Sequence, residues 1–158
     1  MVGRAAVSGR QSPVESPSAL LPTAGRIGLT VAGLVAIVVG GALLTVPATF
    51  HAGNGIEYAG NSSLLSEARS AGGSLLATGV LVMLGGYVRR LTYTAALVGA
   101  VVYLAYGLSR LLGMALDGPP AAGLVAATVV ELILGAVCGR LVLRYDRQPR
   151  SPLLSDGA

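Results

Sequence analysis

Twenty consecutive residues, from Ile27 to Val46, carry no charged side chain. Twenty helical residues extend about 30 Å, which is the thickness of the hydrocarbon core of a bilayer. Over the whole chain only 11% of residues are charged, whereas a typical soluble domain is about a quarter charged and needs those groups to cover its surface. The composition argues against a soluble enzyme, a DNA-binding domain and a disordered protein, and it predicts an integral membrane protein.

Three further apolar stretches follow this first span, which we place at about residues 27–46. They lie at about residues 64–88, 91–116 and 121–142. Each is long enough to cross a bilayer, and helix is the default spanning form because its backbone hydrogen bonds stay within the segment. We therefore predict an all-α fold, an integral membrane up-down four-helix transmembrane bundle, over residues 26–145.

Polar segments flank and connect the predicted spans. Residues 1–25 and 146–158 bury too little apolar surface to offset their ordering entropy, and we expect both to be disordered cytoplasmic tails. Arg89 and Arg90 alone separate the second and third spans, which predicts a tight hairpin. The connection at 51–63 contains three glycines and predicts a loop. Candidate caps for the helix that follows it are Ser62, Ser63 and Ser66.

Arginine placement predicts the orientation of the bundle. Nine of the eleven arginines fall on one side of the predicted topology, and the two connections on the other side contain no Lys or Arg. The positive-inside rule then places both termini in the cytoplasm. We expect a multi-pass protein of the plasma membrane, the inner membrane of a bacterium, with the lipid bilayer as its surroundings.

A cleaved signal peptide is the competing interpretation of the first apolar run. Val46, Pro47 and Ala48 resemble a cleavage site that follows an apolar core. The run is longer than a usual signal core, and the segment before it is also long, so we favour a retained span. A mature chain that starts at Thr49 would contradict this choice.

Small residues recur at four-residue spacing on two spans, which allows close helix approach in lipid. On the first span they are Gly28, Ala32, Ala36 and Gly40. On the fourth they are Gly123, Ala127, Gly135 and Gly139, and Glu131 shares this stripe. We predict that both stripes are helix contacts within one chain. A homodimer seam on the first span is left open.

Two charged side chains within the spans predict an ion pair. Glu131 lies about eleven residues into the fourth span, roughly 16 Å deep. A carboxylate that faced lipid there would cost at least a few kcal/mol, so it must be neutral or paired. Arg110 on the third span is the natural partner. Helical side chains lean toward the N-terminus of their own helix, so these two converge from antiparallel neighbours.

Arg69 and Asp117 complete the predicted buried charge cluster around Arg110 and Glu131. The cluster has two interpretations. It is either a clasp that fixes helix register, or a site for a proton, an anion or a head group, since intramembrane charges often mark function. We favour the clasp and keep the site as the alternative.

No sequence motif indicates catalysis or cofactor binding. His51 is the only histidine and, with Glu57, does not make a metal site, so we expect a solvated loop residue. Cys138 is the only cysteine and predicts a packing role. Phosphate-binding glycine loops, nucleophile elbows, CxxC and HExxH motifs do not occur. We therefore expect no catalytic residues, no metal, no cofactor and no nucleic-acid partner.

A series of local motifs resembles a known family. In chain order these are Pro47, Gly55-Ile56, Glu67-Ala68-Arg69-Ser70-Ala71-Gly72-Gly73, Gly107-Leu108-Ser109-Arg110, Asp117-Gly118-Pro119 and Glu131-Leu132. The series resembles the small bacterial four-span membrane proteins catalogued as domain of unknown function forty-three forty-five, which are loosely DoxX-like. The resemblance covers about residues 26–145. It implies the four-helix fold and carries no activity.

Three functions fit this sequence. We favour a non-enzymatic membrane module that acts by assembly, either as a homo-oligomer or with a membrane partner protein. The first alternative is a small transporter or proton-linked carrier built around Arg110 and Glu131, which needs a water-accessible cavity that reaches Glu131. The second is a membrane redox or lipid-head-group-binding enzyme with an outer-leaflet site, which needs a pocket lined by Arg69 and Arg110.

Overall fold

A computed structural model describes residues 23–147, and the rest of both predicted tails lies outside this range. Within it the chain forms five α-helices and one 3-10 helix. They are α1 (Thr23–Thr45), α2 (Pro47–Ala52), α3 (Ser62–Gly85), the 3-10 helix Arg89–Leu91, α4 (Thr92–Asp117) and α5 (Ala122–Asp146). The four long helices are apolar enough to cross a membrane. The predicted all-α four-helix bundle is confirmed.

The helices extend beyond the predicted spans. α1 begins at Thr23, within the predicted tail, and α5 continues to Asp146. At the start of α1, Gly25 is buried, and the Arg26 guanidinium carbon lies 5.3 Å from the centroid of the Tyr87 ring. These two contacts stabilise the first turn of α1, which lies before the apolar run and was not predicted as helix.

The predicted loop at 51–63 contains part of a short helix, α2, and this corrects the prediction. Pro47 occupies the first turn of α2, where a backbone N–H has no intrahelical partner to lose. At the far end of the connection, the cap of α3 is Asn61 rather than a serine. Its Oδ1 accepts hydrogen bonds from the backbone N–H groups of Ser63 at 3.0 Å and Leu64 at 3.3 Å.

The connection between α3 and α4 is longer than the two arginines predicted. A turn follows Gly85, and the 3-10 helix Arg89–Leu91 leads into α4. The buried Thr92 hydroxyl donates a 2.8 Å hydrogen bond to the carbonyl of Gly85, which joins the two helix ends. At the other end of α4, Gly118 has a φ of 91°, a backbone conformation that favours glycine, and it ends the helix.

α1 packs on α3 through glycines contributed by both helices. A side-chain carbon added at Gly40 would lie only 2.5 Å from the backbone nitrogen of Leu76. One added at Gly79 would lie 2.7 Å from the backbone nitrogen of Ile37. The two backbones are therefore in near contact, which is the packing that small residues permit in a bilayer.

The predicted small-residue stripe on α1 does not form one continuous contact. Ala32, Ala36 and Gly40 are buried in the bundle. A side-chain carbon at Gly28, however, would meet Val137 of α5 at 2.9 Å. Four residues turn a helix by about 40° more than a full turn, so three such steps rotate the stripe by about 120°. Gly28 and Gly40 therefore contact different neighbours.

The same rotation divides the predicted stripe on α5. A side-chain carbon at Gly135 would meet Leu104 of α4 at 2.8 Å, so this glycine packs as predicted. Gly123 lies instead against the side chain of Asn54, in the connection after α2. Gly139 faces no atom within 4 Å. Because Gly123 and Gly139 are separated by about 160° around the helix, they cannot share one packed face.

The two ends of the bundle differ in charge and in packing. The arginine end, defined by six arginines, is formed by the start of α1, the connection between α3 and α4, and the end of α5. Those residues are Arg26, Arg89, Arg90, Arg140, Arg144 and Arg147. The half of the bundle nearest this end holds the apolar core, in which Leu29, Val82 and Cys138 are fully buried. The opposite end, the α2 end, is less filled.

Candidate functional site

A cavity of about 260 Å³ occupies the half of the bundle nearest the α2 end. α1, α4 and α5 form most of its walls, Leu75 of α3 completes them, and α2 with the residues after it lines the cavity at the α2 end. Most of the lining is apolar, including Val35, Val39, Leu43, Leu75, Leu124, Ala127 and Val130. The polar groups of the lining are Arg110, Glu131, Tyr103, Tyr106, His51 and Asn54. A largely apolar cavity with a few convergent polar groups is typical of a small-molecule site.

Arg110 and Glu131 are paired in the wall of this cavity. The Nε–H of Arg110 donates to both carboxylate oxygens of Glu131, at 3.2 Å to Oε1 and 3.1 Å to Oε2. The side chains are 33% and 15% exposed. Within residues 23–147 all hydrogen bonds from Arg110 come from Nε. Both terminal amino groups of the guanidinium therefore have donors to offer a ligand.

The helix geometry explains why these two residues meet. Arg110 lies seven residues before the end of α4, about 10 Å from it, and Glu131 lies nine residues into α5, about 14 Å from its start. The difference in depth is two residues, or about 3 Å. The two side chains close this difference in depth, because each leans toward the N-terminus of its own helix and so reaches a common level.

The deep end of the cavity is closed by Tyr103. This residue is 4% exposed, and its hydroxyl donates a 2.5 Å hydrogen bond to the backbone carbonyl of Ala32. Ala32 belongs to α1, so this hydrogen bond connects α4 to α1 across the bundle. Beyond Tyr103 the packed core continues to the arginine end. The packed core therefore closes the cavity on the side of the arginine end.

His51 lines the cavity at the α2 end, and the prediction of a solvated loop residue is wrong. It belongs to α2 and is partly buried, and its Nδ1 is hydrogen-bonded to the hydroxyl of Tyr58. Burial lowers the pKa of His51 below its ordinary value of 6.5, and the positive charge of Arg110 lowers it further. Both effects favour the neutral imidazole of His51.

Arg69 and Asp117 do not join the ion pair. Asp117 and Arg110 both line a second, shallower cavity of about 210 Å³ beside the first. Arg69 is exposed on α3 and lines neither of these cavities. It follows the buried Ala68, and one residue along a helix is a rotation of about 100°, which turns Arg69 out of the bundle.

The described residues show no metal centre. No group of three or more His, Cys, Asp or Glu side chains is close enough to hold an ion between residues 23 and 147. Cys138 is fully buried in the apolar core and lies on α5 seven residues after Glu131, outside the cavity lining. The polar side chains of the cavity lining can hydrogen-bond a ligand, and the apolar ones can pack against it.

Four helices that are apolar enough to span a bilayer define a multi-pass membrane protein, and they enclose a largely apolar cavity with a few polar groups. The chain belongs to the family described as Domain of unknown function (DUF4345), whose model matches residues 24–142. The match includes all four long helices and α2, and it confirms the family resemblance found in the sequence. No curated protein and no solved structure matches the chain.

Proposed function

We propose that this protein is a non-enzymatic membrane module that binds a small uncharged molecule in the cavity at Arg110. The ligand has an apolar body, which contacts the aliphatic lining, and a carbonyl oxygen, which accepts hydrogen bonds from the guanidinium. A quinone ring with a short tail belongs to this class. The module would hold such a molecule at one level of the bilayer.

The main observation behind this proposal is that Arg110 bonds to Glu131 through Nε alone. Its Nε satisfies Glu131, while its two amino groups keep their donors at the edge of an apolar cavity. The pair is neutral overall, so an anionic ligand would meet the Glu131 carboxylate without a net positive charge to balance it. An uncharged acceptor uses the same donors without that repulsion.

The cavity is also relevant to the first alternative function, a small transporter or proton-linked carrier. Its lining includes Glu131, which such a carrier requires. Transport additionally requires a route from Glu131 to the other face of the membrane. Leu29, Val82 and Cys138 fill the bundle between the cavity and the arginine end. A packed core between the cavity and the arginine end supports binding over passage.

We further propose that the arginine end faces the cytoplasm at the plasma membrane, which places both chain termini there. Six of the eight arginines in residues 23–147 lie at this end, and the other two, Arg69 and Arg110, lie within α3 and α4. This distribution supports the orientation through the positive-inside rule. Assembly with a second copy or a partner protein stays a prediction. Ala32, Ala36 and Gly40 are already buried within the chain, so such a contact would use another face.

A matched pair of probes tests the proposed ligand chemistry. A decyl-substituted benzoquinone and decylbenzene share an apolar body and differ in the two carbonyl oxygens. We expect the benzoquinone at saturation to raise the melting temperature of the purified protein in maltoside detergent by about 3 °C. Decylbenzene should raise it much less because it cannot accept a hydrogen bond from Arg110. Differential scanning fluorimetry with a thiol-independent dye measures both shifts.

A matched pair of variants tests the location. Ala127→Phe places a ring in the cavity and leaves the ion pair in place, whereas Ala126→Phe adds the same ring on an exposed position outside the lining. The benzoquinone shift should disappear in Ala127→Phe and persist in Ala126→Phe. Equal shifts from the two probes, or an unchanged shift in Ala127→Phe, would contradict the proposal.

A further inference from the structure

Three arginines occupy one exposed face of the last two turns of α5. Arg140, Arg144 and Arg147 are spaced by four and three residues, which places them one above another on the helix. Together with Leu143 they line a shallow surface cavity of about 360 Å³. All four side chains are exposed, and among the described residues none of the three arginines is within ion-pairing distance of a carboxylate.

This face lies at the level of the lipid head groups. α5 has 25 residues and is therefore about 37 Å long, which exceeds the roughly 30 Å of the hydrocarbon core. Tyr145 lies between Arg144 and Arg147, and its ring centroid is 6.1 Å from that of Tyr93 on α4. Paired tyrosines at a helix end are typical of the membrane interface, where the ring is apolar and the hydroxyl is hydrated.

The charge at this level is strongly unbalanced. Six arginines lie at the arginine end, and Asp146 is the one acidic residue there within the described range. Arginine donors match the oxygens of a phosphate in a planar, two-pronged geometry. Leu143 lies among the three arginines and is 57% exposed, so an apolar surface adjoins the basic groups.

We propose that Arg140, Arg144 and Arg147 bind the phosphate of an anionic phospholipid in the adjacent leaflet, with an acyl chain of the same lipid along Leu143. Basic clusters beside a transmembrane helix are attracted to the negative surface of an anionic leaflet, and the attraction falls with ionic strength. The exposed leucine favours a lipid over a soluble phosphate, because a soluble phosphate has no apolar part to place there. The site is separate from the Arg110 cavity, at the opposite end of the bundle.

Lipid selectivity in reconstituted vesicles tests this site. Electron paramagnetic resonance of spin-labelled phosphatidylglycerol and phosphatidylcholine gives the relative association of each lipid with the full-length protein. We expect the wild-type protein to prefer phosphatidylglycerol about fivefold at low ionic strength. The site variant combines Arg140→Gln, Arg144→Gln and Arg147→Gln. The matched control combines Arg26→Gln, Arg89→Gln and Arg90→Gln, which removes three charges from the same end.

The site variant should lose most of the preference, whereas the control should keep at least half of it. Equal loss in the two variants would overturn the proposal in favour of a general charge effect, and so would a wild-type protein without a preference. Because the three arginines are exposed, the site variant should remain folded and monodisperse. Should it not, the single change Arg144→Gln provides the same test, with an expected reduction of about twofold.

Discussion

Replacing Glu131 with alanine should lower the free energy of unfolding by about 3 kcal/mol, since it leaves the Arg110 guanidinium unpaired in an apolar wall. The reason is the geometry of the pair, in which Nε lies 3.1 and 3.2 Å from the two carboxylate oxygens. Removing both charges should cost less than removing one. We therefore expect the double variant Arg110→Ala with Glu131→Ala to recover part of the stability lost by Glu131→Ala alone.

Reversible unfolding of the purified protein in mixed micelles, with increasing fractions of a denaturing detergent, measures these differences. Glu67→Ala is the matched control, because Glu67 is an exposed acid on α3 without an ion-pair partner among the described residues. Its effect should stay within about 0.5 kcal/mol. A Glu131→Ala protein that unfolds at the wild-type midpoint would show that the pair does not stabilise the bundle.

The second large effect is expected at Gly40. A methyl group there would lie 2.5 Å from the backbone nitrogen of Leu76 and 2.8 Å from the backbone oxygen of Gly72, so α1 and α3 would have to separate. Overpacking of this kind costs about 1–3 kcal/mol, and backbone atoms cannot move aside as a flexible side chain can. We expect Gly40→Ala to lose about 2 kcal/mol of unfolding free energy.

The neighbouring residue is the control for this change. Gly41 has no atom within 4 Å of an added side-chain carbon, so Gly41→Ala tests the same substitution without the contact. Alanine favours helix over glycine by about 1 kcal/mol, and Gly41→Ala should be neutral or slightly stabilising. Equal destabilisation by the two changes would mean that α1 and α3 do not approach as closely as the structure shows.

Much of the fold was predictable because a bilayer allows few solutions. Apolar runs of sufficient length must be helical there, so residues such as Ile27 to Val46 specify a span without any knowledge of their neighbours. Short connections then make consecutive helices antiparallel. The ends were less predictable, because Thr23 and Asp146 are polar and belong to helices that extend past the apolar core.

The Arg110–Glu131 pair was predictable from the sequence, but the donors that it leaves unused were not. The depth of Arg110 and Glu131 and the lean of their side chains suffice to place them at a common level. They do not reveal which donors remain, and the free amino groups of Arg110 emerge only from the three-dimensional arrangement. Arg69 was grouped with this cluster, but its position around α3 turns it out of the bundle.

The cavity itself was not predictable from the sequence. Small residues pack α1 against α3 and α4 against α5, and the cavity lies between these two pairs near the α2 end. The four-residue spacing of small residues suggested one continuous contact along each helix. Each step of four residues rotates the position by about 40°, however, so Gly28 and Gly139 lie away from the contacts of the other small residues. A signal for α2 was available in Pro47, which stands at a preferred first helical position.

Cysteine labelling tests most directly the central claim, that the chain crosses the membrane four times with the α2 end and the arginine end on opposite faces. In a Cys138→Ala background, single cysteines replace Glu57 and Arg90 in the first two connections and Asp117 at the end of α4, next to the third. A membrane-impermeant maleimide applied to intact spheroplasts should label positions 57 and 117, and position 90 only after permeabilisation. Labelling of position 90 together with position 57 before permeabilisation would contradict the four-span bundle.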